Sequence, residues 1–495
     1  MKKRILVIAI IALLAIVAPL SACEKADEIR LTSYQIDAIY DNENKTVNAK
    51  MTVDYVNNSD AILDEVCFHL YPQAYRKNAR FKAISDKNAT IAYPNGESYG
   101  GISISTLIVN GNESEVKIMG EDEDILVVDL SLSPLEPSES VKIDMDFTLK
   151  VPCVRHRLGY EGNTTNLGNW YPIACVYENG NFDTHPYYST GDPFYSDCAL
   201  YTVSITVPDT LTVAQSGKSV KKVNDDGTAT FSSTINSARD YSAVIGEFTM
   251  LGTSYEGVDI NYYYSVDEVP QRSLTTARDA IKTYSELFGK YPYQSFSVVQ
   301  TPFLHGGMEY PSLVYVSDQL SGEMQTEVIA HETAHQWWYG VVGNNQVKNA
   351  WLDEGLTEFT TGLFYEKNPS YEIDNAKRTA DALSAYILYY DAFKNINADT
   401  SMTRSVNEYS SEFEYTYMSY VKGSLMFDAL RTATSEEKFI KALNEYYATY
   451  KFKNATPDAL IGCFERACGK EVVSFFNGWL DGKVKMYGGV GGNQR

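Results

Sequence analysis

Apolar and polar positions follow two different rules along this chain. From Tyr34 to about Gly252 the apolar residues alternate with polar ones or gather in short β-branched clusters. Thr46 to Val56, Ile125 to Leu130, Val141 to Leu149 and Leu200 to Val207 are the clearest runs. Asn, Asp, Gly and Pro punctuate them, as expected between strands. No helical period of any length appears here, which predicts an antiparallel β domain. Near residue 270 the rule changes. Gln271 to Phe288 carries apolar residues at helical spacing and stops at Gly289. Ser295 to Thr301 and Leu313 to Ser317 read as strands. Beyond them the pattern predicts helices over 323–340, 352–366, 371–395, 418–433, 435–449 and 456–467. Strands followed by a mostly helical region predict an α+β multidomain chain, a β lobe ahead of a helical lobe.

The first residues break both rules. Met1-Lys2-Lys3-Arg4 is a positive start, and Ile5 to Leu20 is apolar apart from Pro19. Leu20-Ser21-Ala22-Cys23 follows and resembles the lipobox of bacterial lipoproteins, in which the signal is cut before the Cys and that residue is lipidated. The apolar run is short for a span, and no later segment is long enough to cross a bilayer. The expected organisation is a lipoprotein signal peptide over 1–22, a tether over 23–33, a β domain over 34–253, a helical domain over 254–487 and a flexible tail over 488–495. The resulting expectation is a monomer, lipid-anchored at Cys23 to the extracytoplasmic face of a bacterial membrane. The net charge of −22 and the lack of a basic run after the N-terminus argue against a nucleic-acid partner. Six cysteines follow Cys23, none in a CxxC pair, so a thiolate metal site is not expected. Export permits disulfides, with Cys153, Cys175 and Cys198 as candidate partners; buried free thiols are the alternative.

The chemistry concentrates in one place. His331-Glu332-Thr333-Ala334-His335 falls within a predicted helix, and residues four apart share a helical face. Both imidazoles can therefore meet one ion with Glu332 beside it. Nitrogen and carboxylate donors without a redox demand suit Zn2+, one per chain. A chance motif on an exposed helix is the alternative, but the chain has six histidines and two of them fall in this pattern. A catalytic zinc needs a third protein ligand. A further His after a Gly is ruled out, since Trp338 and Val341 hold those positions. Glu354, near the start of the next predicted helix, is the best candidate; a solvated acid favoured by the helix dipole is the other reading.

His331-Glu332-x-x-His335, eighteen residues and then Glu354 resembles the zinc signature of the M1 (gluzincin) aminopeptidases. Gly306-Gly307-Met308-Glu309-Tyr310 is similar to that family's GxMEN strand, and Tyr420-Val421-Lys422-Gly423 to its Tyr-x-Lys-Gly motif. Cys67 to Pro72, Asn169 to Pro172 and Phe475 to Trp479 extend the likeness over most of the chain. The resemblance implies a thermolysin-like catalytic domain and a zinc aminopeptidase acting on peptides with a free N-terminus. It implies that Glu354 completes the metal set, that Glu332 is the general base and later the acid, and that Tyr420 donates to the oxyanion. Tyrosine is abundant, at 38 copies, and Tyr409, Tyr415 and Tyr417 lie close by; the following Lys-Gly singles out Tyr420. Glu309 would pair with the substrate's α-amine, while Gly306, Gly307 and Met308 form the strand on which the peptide lies. Glu358, one turn past Glu354, and Asp353 are the expected outer residues that orient a ligand His.

The sequence departs from the family in identifiable places. Tyr310 stands where the motif has Asn, which bears on the lining of the first pocket. The family's N-terminal-domain Gln or Glu that helps anchor the amine is not found, nor is its Ala-Arg and Pro-Cys-Asp segment near 190–200. Many relatives also carry a large helical C-terminal domain that is not seen here, and a more open cleft is expected. A zinc endopeptidase or epoxide hydrolase of related fold, and a non-catalytic peptide-binding lipoprotein, are the competing expectations. Intact Glu332 and Tyr420 argue against the last.

Overall fold

Alternation in the sequence becomes alternation in burial. In a computed structural model describing residues 30–393, 399–484 and 486, Thr46–Val56 and Ser140–Lys150 form the centre of an eight-stranded sheet. Their apolar positions point inward and their polar ones outward. The sheet runs Val220–Val223, Thr228–Ala238, Ala199–Pro208, Ser33–Asp41, Thr46–Val56, Ser140–Lys150, Gly101–Val109, Asn112–Glu113. Its neighbours are antiparallel, as the pattern predicts, with one exception: Ser33–Asp41 lies parallel to Ala199–Pro208. Two four-stranded sheets, one built around Thr164–Leu167 and Ala243–Gly246, the other around Glu65–His69 and Ile125–Asp129, and a two-stranded ladder of Tyr177–Glu178 and Asn181–Phe182 complete this β domain.

The second sheet system begins at Thr249. Thr249–Tyr255 pairs with Val258–Tyr264, so this hairpin straddles the boundary expected at 253/254. Ser295–Thr301 and Leu313–Ser317 follow in parallel and are buried along their whole length, as strands covered on both faces must be. Gly307–Met308 closes the order as an edge strand, antiparallel to Leu313–Ser317. Helices cover this sheet. Pro270–Phe288 ends at Gly289 where the period stops, and 371–395 is observed as Asn375–Phe393. Glu436–Tyr450 and Pro457–Cys468 begin at Ser435 and Thr456, whose side chains accept from backbone N–H groups of the first turn.

Three helical features differ from the pattern. The helix predicted to reach 340 ends at Ala334, because the chain turns there and brings the Trp338 carbonyl under the His335 ring. The continuous helix predicted over 418–433 is divided into a wide π turn, Tyr417–Lys422, and a regular helix, Gly423–Ala433. A short helix, Glu412–Thr416, precedes them under a Ser411 cap.

Both lobes share one core, which is also stapled by Arg239. This buried guanidinium donates to the carbonyls of Tyr339, Ser196 and Lys453 and to the Asn454 side chain. Gly343 makes room for it, since a Cβ there would overlap the guanidinium. The six described cysteines, Cys153, Cys175 and Cys198 among them, are free thiols. No helix among the described residues is long and apolar enough to cross a membrane. The signal segment, Cys23, most of the tether and the tail lie outside the described residues.

Candidate active site

Helix geometry brings the first two donors together. His331 and His335 lie one turn apart on Gly322–Ala334 and its C-cap, and their Nε2 atoms are 3.2 Å apart. The Glu354–Lys367 helix packs alongside and places Glu354 Oε2 3.1 Å from His335 Nε2 and 3.5 Å from His331 Nε2. Zinc bonds of about 2.0–2.1 Å give a tetrahedron with edges of about 3.3 Å, so the three atoms already mark out one tetrahedral face. The other ring nitrogens are tied back. His335 Nδ1 donates to the Trp338 carbonyl at 3.0 Å, and His331 Nδ1 to Glu358 Oε2 at 3.1 Å. Fixing Nδ1 in this way leaves both Nε2 lone pairs for a metal. Arg378 in turn grips Glu358 and also binds Glu327.

Charge in the site favours a cation. Asp192, Glu309, Glu332, Asp353 and Glu354 are all buried here. Burial pushes the Glu332 carboxyl up to about 7 and the Asp353 carboxyl also to about 7, the latter with the adjacent Glu354 charge adding to it. Burial raises Glu309 well above the carboxylate range, with Asp192 next in effect. Glu354 is the exception: burial would raise it, and the two imidazoles hold it below the usual range. Burial would lower His331, yet hydrogen bonds to Glu354 and Glu358 raise it to about 9. A field that holds protons on buried imidazoles also favours a divalent ion in their place. Glu332 keeps one oxygen, Oε2, buried and without a hydrogen-bond partner. Its other oxygen lies beneath Gly307, where a Cβ would stand 2.4 Å away. The motif thus needs glycine at that position.

Tyr420 reaches the site from the π turn and donates to Glu354 Oε1 at 2.6 Å. Its approach depends on a glycine crossing, since a Cβ on Gly355 would lie 2.8 Å from Gly423 Cα. At the other end, ligand oxygens of Asp192, Glu309 and Glu354 lie within 4.8 Å of one another. Gln346 donates to Glu309 at 2.9 Å and to Asp353 at 2.8 Å, fixing both. Over this floor opens a cleft of about 480 Å3, bounded by Gly306, Gly307, Asp192, His331, Glu332 and Tyr420 among others.

Residues 272–479 match the peptidase family M1 domain. That stretch contains all three motifs that carry the resemblance. Among curated proteins, the chain is 28% identical over 278 residues to aminopeptidase N of Lactobacillus helveticus, covering 52% of this chain and 33% of that protein. It is 26% identical over 271 residues to the probable aminopeptidase 2 of Sulfurisphaera tokodaii, covering 50% of this chain and 34% of that protein. The match therefore spans about a third of the length of these relatives. Among solved structures, the M1 zinc metallopeptidase of Deinococcus radiodurans superposes with a TM-score of 0.64 at 18% identity, covering 92% of this chain and 94% of the other. A variant of that protein bound to a Tyr-Ser-Ala substrate gives 0.65, also at 18% identity and over 92% and 94% of the two chains. The two-lobed α+β fold is common to these M1 structures, and the donor set here is that of a zinc site.

Several residues take places that the M1 motifs do not announce. Asp353, expected to help orient a ligand His, instead accepts from Asn344 and from Gln346, the amide that also donates to Glu309. Met308, expected on the substrate strand, is buried with its sulfur 3.1 Å from Arg157 Nε. Tyr310 lies away from the cleft: its hydroxyl donates to Asn169 in the β domain at 2.9 Å, and it presses on Gly168. The substitution at that motif position therefore serves the contact between lobes. An acid of the N-terminal domain that no motif announces, Asp192, also reaches the Glu309 end of the cleft and is held by Arg157. It sits in a Gly-Asp-Pro loop, where no periodicity signals its direction.

Proposed function

We propose that this protein is a zinc aminopeptidase that removes N-terminal residues from peptides outside the cytoplasm, as a monomer anchored through a lipidated Cys23. The observation that carries the reading is the closed, acidic end of the cleft. Asp192 and Glu309 face the metal set there and offer a buried ammonium two carboxylates. Free N-termini fit that end; a chain continuing past it meets buried charge. A peptide backbone can add to the free edge of Gly307–Met308, the last strand of its sheet. A zinc ion held by His331, His335 and Glu354 would supply Lewis acidity, polarising a carbonyl and acidifying a water. Glu332 takes the proton of the attacking water at its unpartnered Oε2 and delivers it to the leaving amine. Tyr420 turns its hydroxyl from Glu354 toward the oxyanion. The peptide bond breaks, and water's hydroxyl and proton pass to the two products. The Tyr-Ser-Ala complex of the Deinococcus protein supports a peptide substrate.

The test is hydrolysis of aminoacyl-p-nitroanilides and of paired free and N-acetylated peptides, with and without a chelator. Chelation should abolish turnover, and Glu332→Gln should lower kcat by about 10²–10⁴-fold. Turnover that survives both would remove zinc hydrolysis; equal cleavage of acetylated peptides would remove the aminopeptidase reading. For the anchor, Cys23→Ser should abolish labelling by a radioactive fatty acid in cells, and persistent labelling would exclude Cys23.

A further inference from the structure

The acids lining the cleft are not equally compensated. Asp192 is paired with Arg157, Glu327 and Glu358 with Arg378, and Glu332 lies against the imidazoles. Glu412 differs. It also lines the cleft, but no Lys, Arg or His nitrogen lies within 4 Å of it among the described residues. Its carboxylate is nonetheless fixed. Asn88 Nδ2 donates to both oxygens, at 3.0 and 3.1 Å, and Ser85 Oγ lies 3.4 Å from Oε1. Those donors are neutral and come from the β domain. They orient the carboxylate without cancelling its charge.

Position gives this charge a direction. Glu412, Tyr415 and Thr416 stand at i, i+3 and i+4 of one short helix, and all three line the cleft. Tyr415 packs against Gly191, next to Asp192, where a Cβ would lie 2.8 Å from its ring; it also meets Tyr420 edge-on at 5.7 Å. A wall therefore runs from the acidic end, over an aromatic ring, to a fixed anionic group about one helical turn away. An acid in a helix's first turn is often only a solvated partner of the helix dipole. Solvation alone does not account for two side chains of another domain holding this one in the cleft. A long side chain with an aliphatic stem and a cationic tip matches the sequence of surfaces: stem on Tyr415, charge at Glu412.

We propose that Glu412 is a specificity residue that selects lysine or arginine as the N-terminal residue of the substrate. This rests on the aminopeptidase reading. The test compares kcat/KM for Lys- and Arg-p-nitroanilide with that for Met-p-nitroanilide in the zinc-loaded protein and in two variants. Glu412→Gln keeps an acceptor for Asn88 and removes the charge, so the basic-to-Met ratio should fall on the order of tenfold, the worth of a charge-assisted contact. Glu412→Lys should invert the preference toward Glu-p-nitroanilide. Added salt should lower the ratio in the parent and leave it unchanged in Glu412→Gln. Turnover with ratios within twofold in all three proteins would overturn this proposal alone. No turnover of any aminoacyl substrate would overturn the aminopeptidase reading, and this proposal with it.

Discussion

Replacing Gly355 by alanine adds one methyl group where the Glu354 helix crosses the turn that carries Tyr420. Its Cβ would lie 2.8 Å from Gly423 Cα and 2.9 Å from the Ser419 carbonyl oxygen. Both neighbours are backbone, so no side chain can swing aside. Carbon atoms settle about 3.5–4.0 Å apart, and the two backbones must separate by roughly 1 Å. The Tyr420–Glu354 hydrogen bond, 2.6 Å long, sits one residue from the crossing and would stretch beyond bonding range. The same shift carries the Tyr420 hydroxyl away from the oxyanion it must reach, and a hydrogen bond to such a charged acceptor is worth about 1.5–3 kcal/mol. A displacement of roughly 1 Å in a reacting group costs about 10²-fold in rate. The two estimates agree, and kcat/KM on aminoacyl-p-nitroanilides should fall about a hundredfold. Overpacking should also lower stability by about 1–3 kcal/mol, read as a lower Tm. Gly423→Ala should repeat the effect, because its Cβ would meet Gly355 Cα at 2.8 Å. Gly478→Ala is the control: its Cβ would find only Val484 Cγ2, at 3.4 Å, and no loss is expected. If Gly355→Ala kept a third of the parent activity with bound zinc, the crossing would not be what seats Tyr420.

Two further outcomes follow from buried charge. Arg378→Met removes the cation that holds Glu358 on His331, and zinc affinity should drop roughly 10–100-fold in a chelator competition, with partial recovery in Arg378→Lys; unchanged affinity would show that Glu358 needs no such support. Burial pushes the Asp240 carboxyl up to about 6 from its ordinary 3.8, so between those values the folded chain keeps a proton that the unfolded chain has released. Stability owed to this group is therefore greatest below the lower value and lost as pH rises to the upper one, by about 3 kcal/mol in all. Asp240→Asn should remove that loss; a parent-minus-variant difference in urea midpoints that is flat with pH would refute the assignment.

How much of this was legible in the sequence follows from the range over which each signal acts. Strands with one face in the core state their bounds directly, and Thr46–Val56 is observed as the alternation predicts. Pro270–Phe288 ends at its glycine for an equally local reason. The Tyr417–Lys422 π turn was not legible, because an apolar period of 3.6 survives a single widened turn. Met308 and Tyr310 were legible as members of a motif but not in direction: burial in an interface between lobes, which no local pattern records, turned both from the cleft.

The sequence by itself determined the zinc-binding set in outline. Residues four apart must share a helical face, which couples His331 to His335 with Glu332 between them, and the resemblance to the M1 signature implied Glu354 as the third ligand. It also determined the β-then-helical order of the chain. Tertiary structure decided everything that depends on two lobes meeting. It brought Asp192 to Glu309 and fixed Glu412 by Asn88. Such pairs lie far apart along the chain and mostly on loops or helix ends, where periodicity carries no direction. Their encounter is set by how the β domain packs on the helices, and that is a property of the whole core.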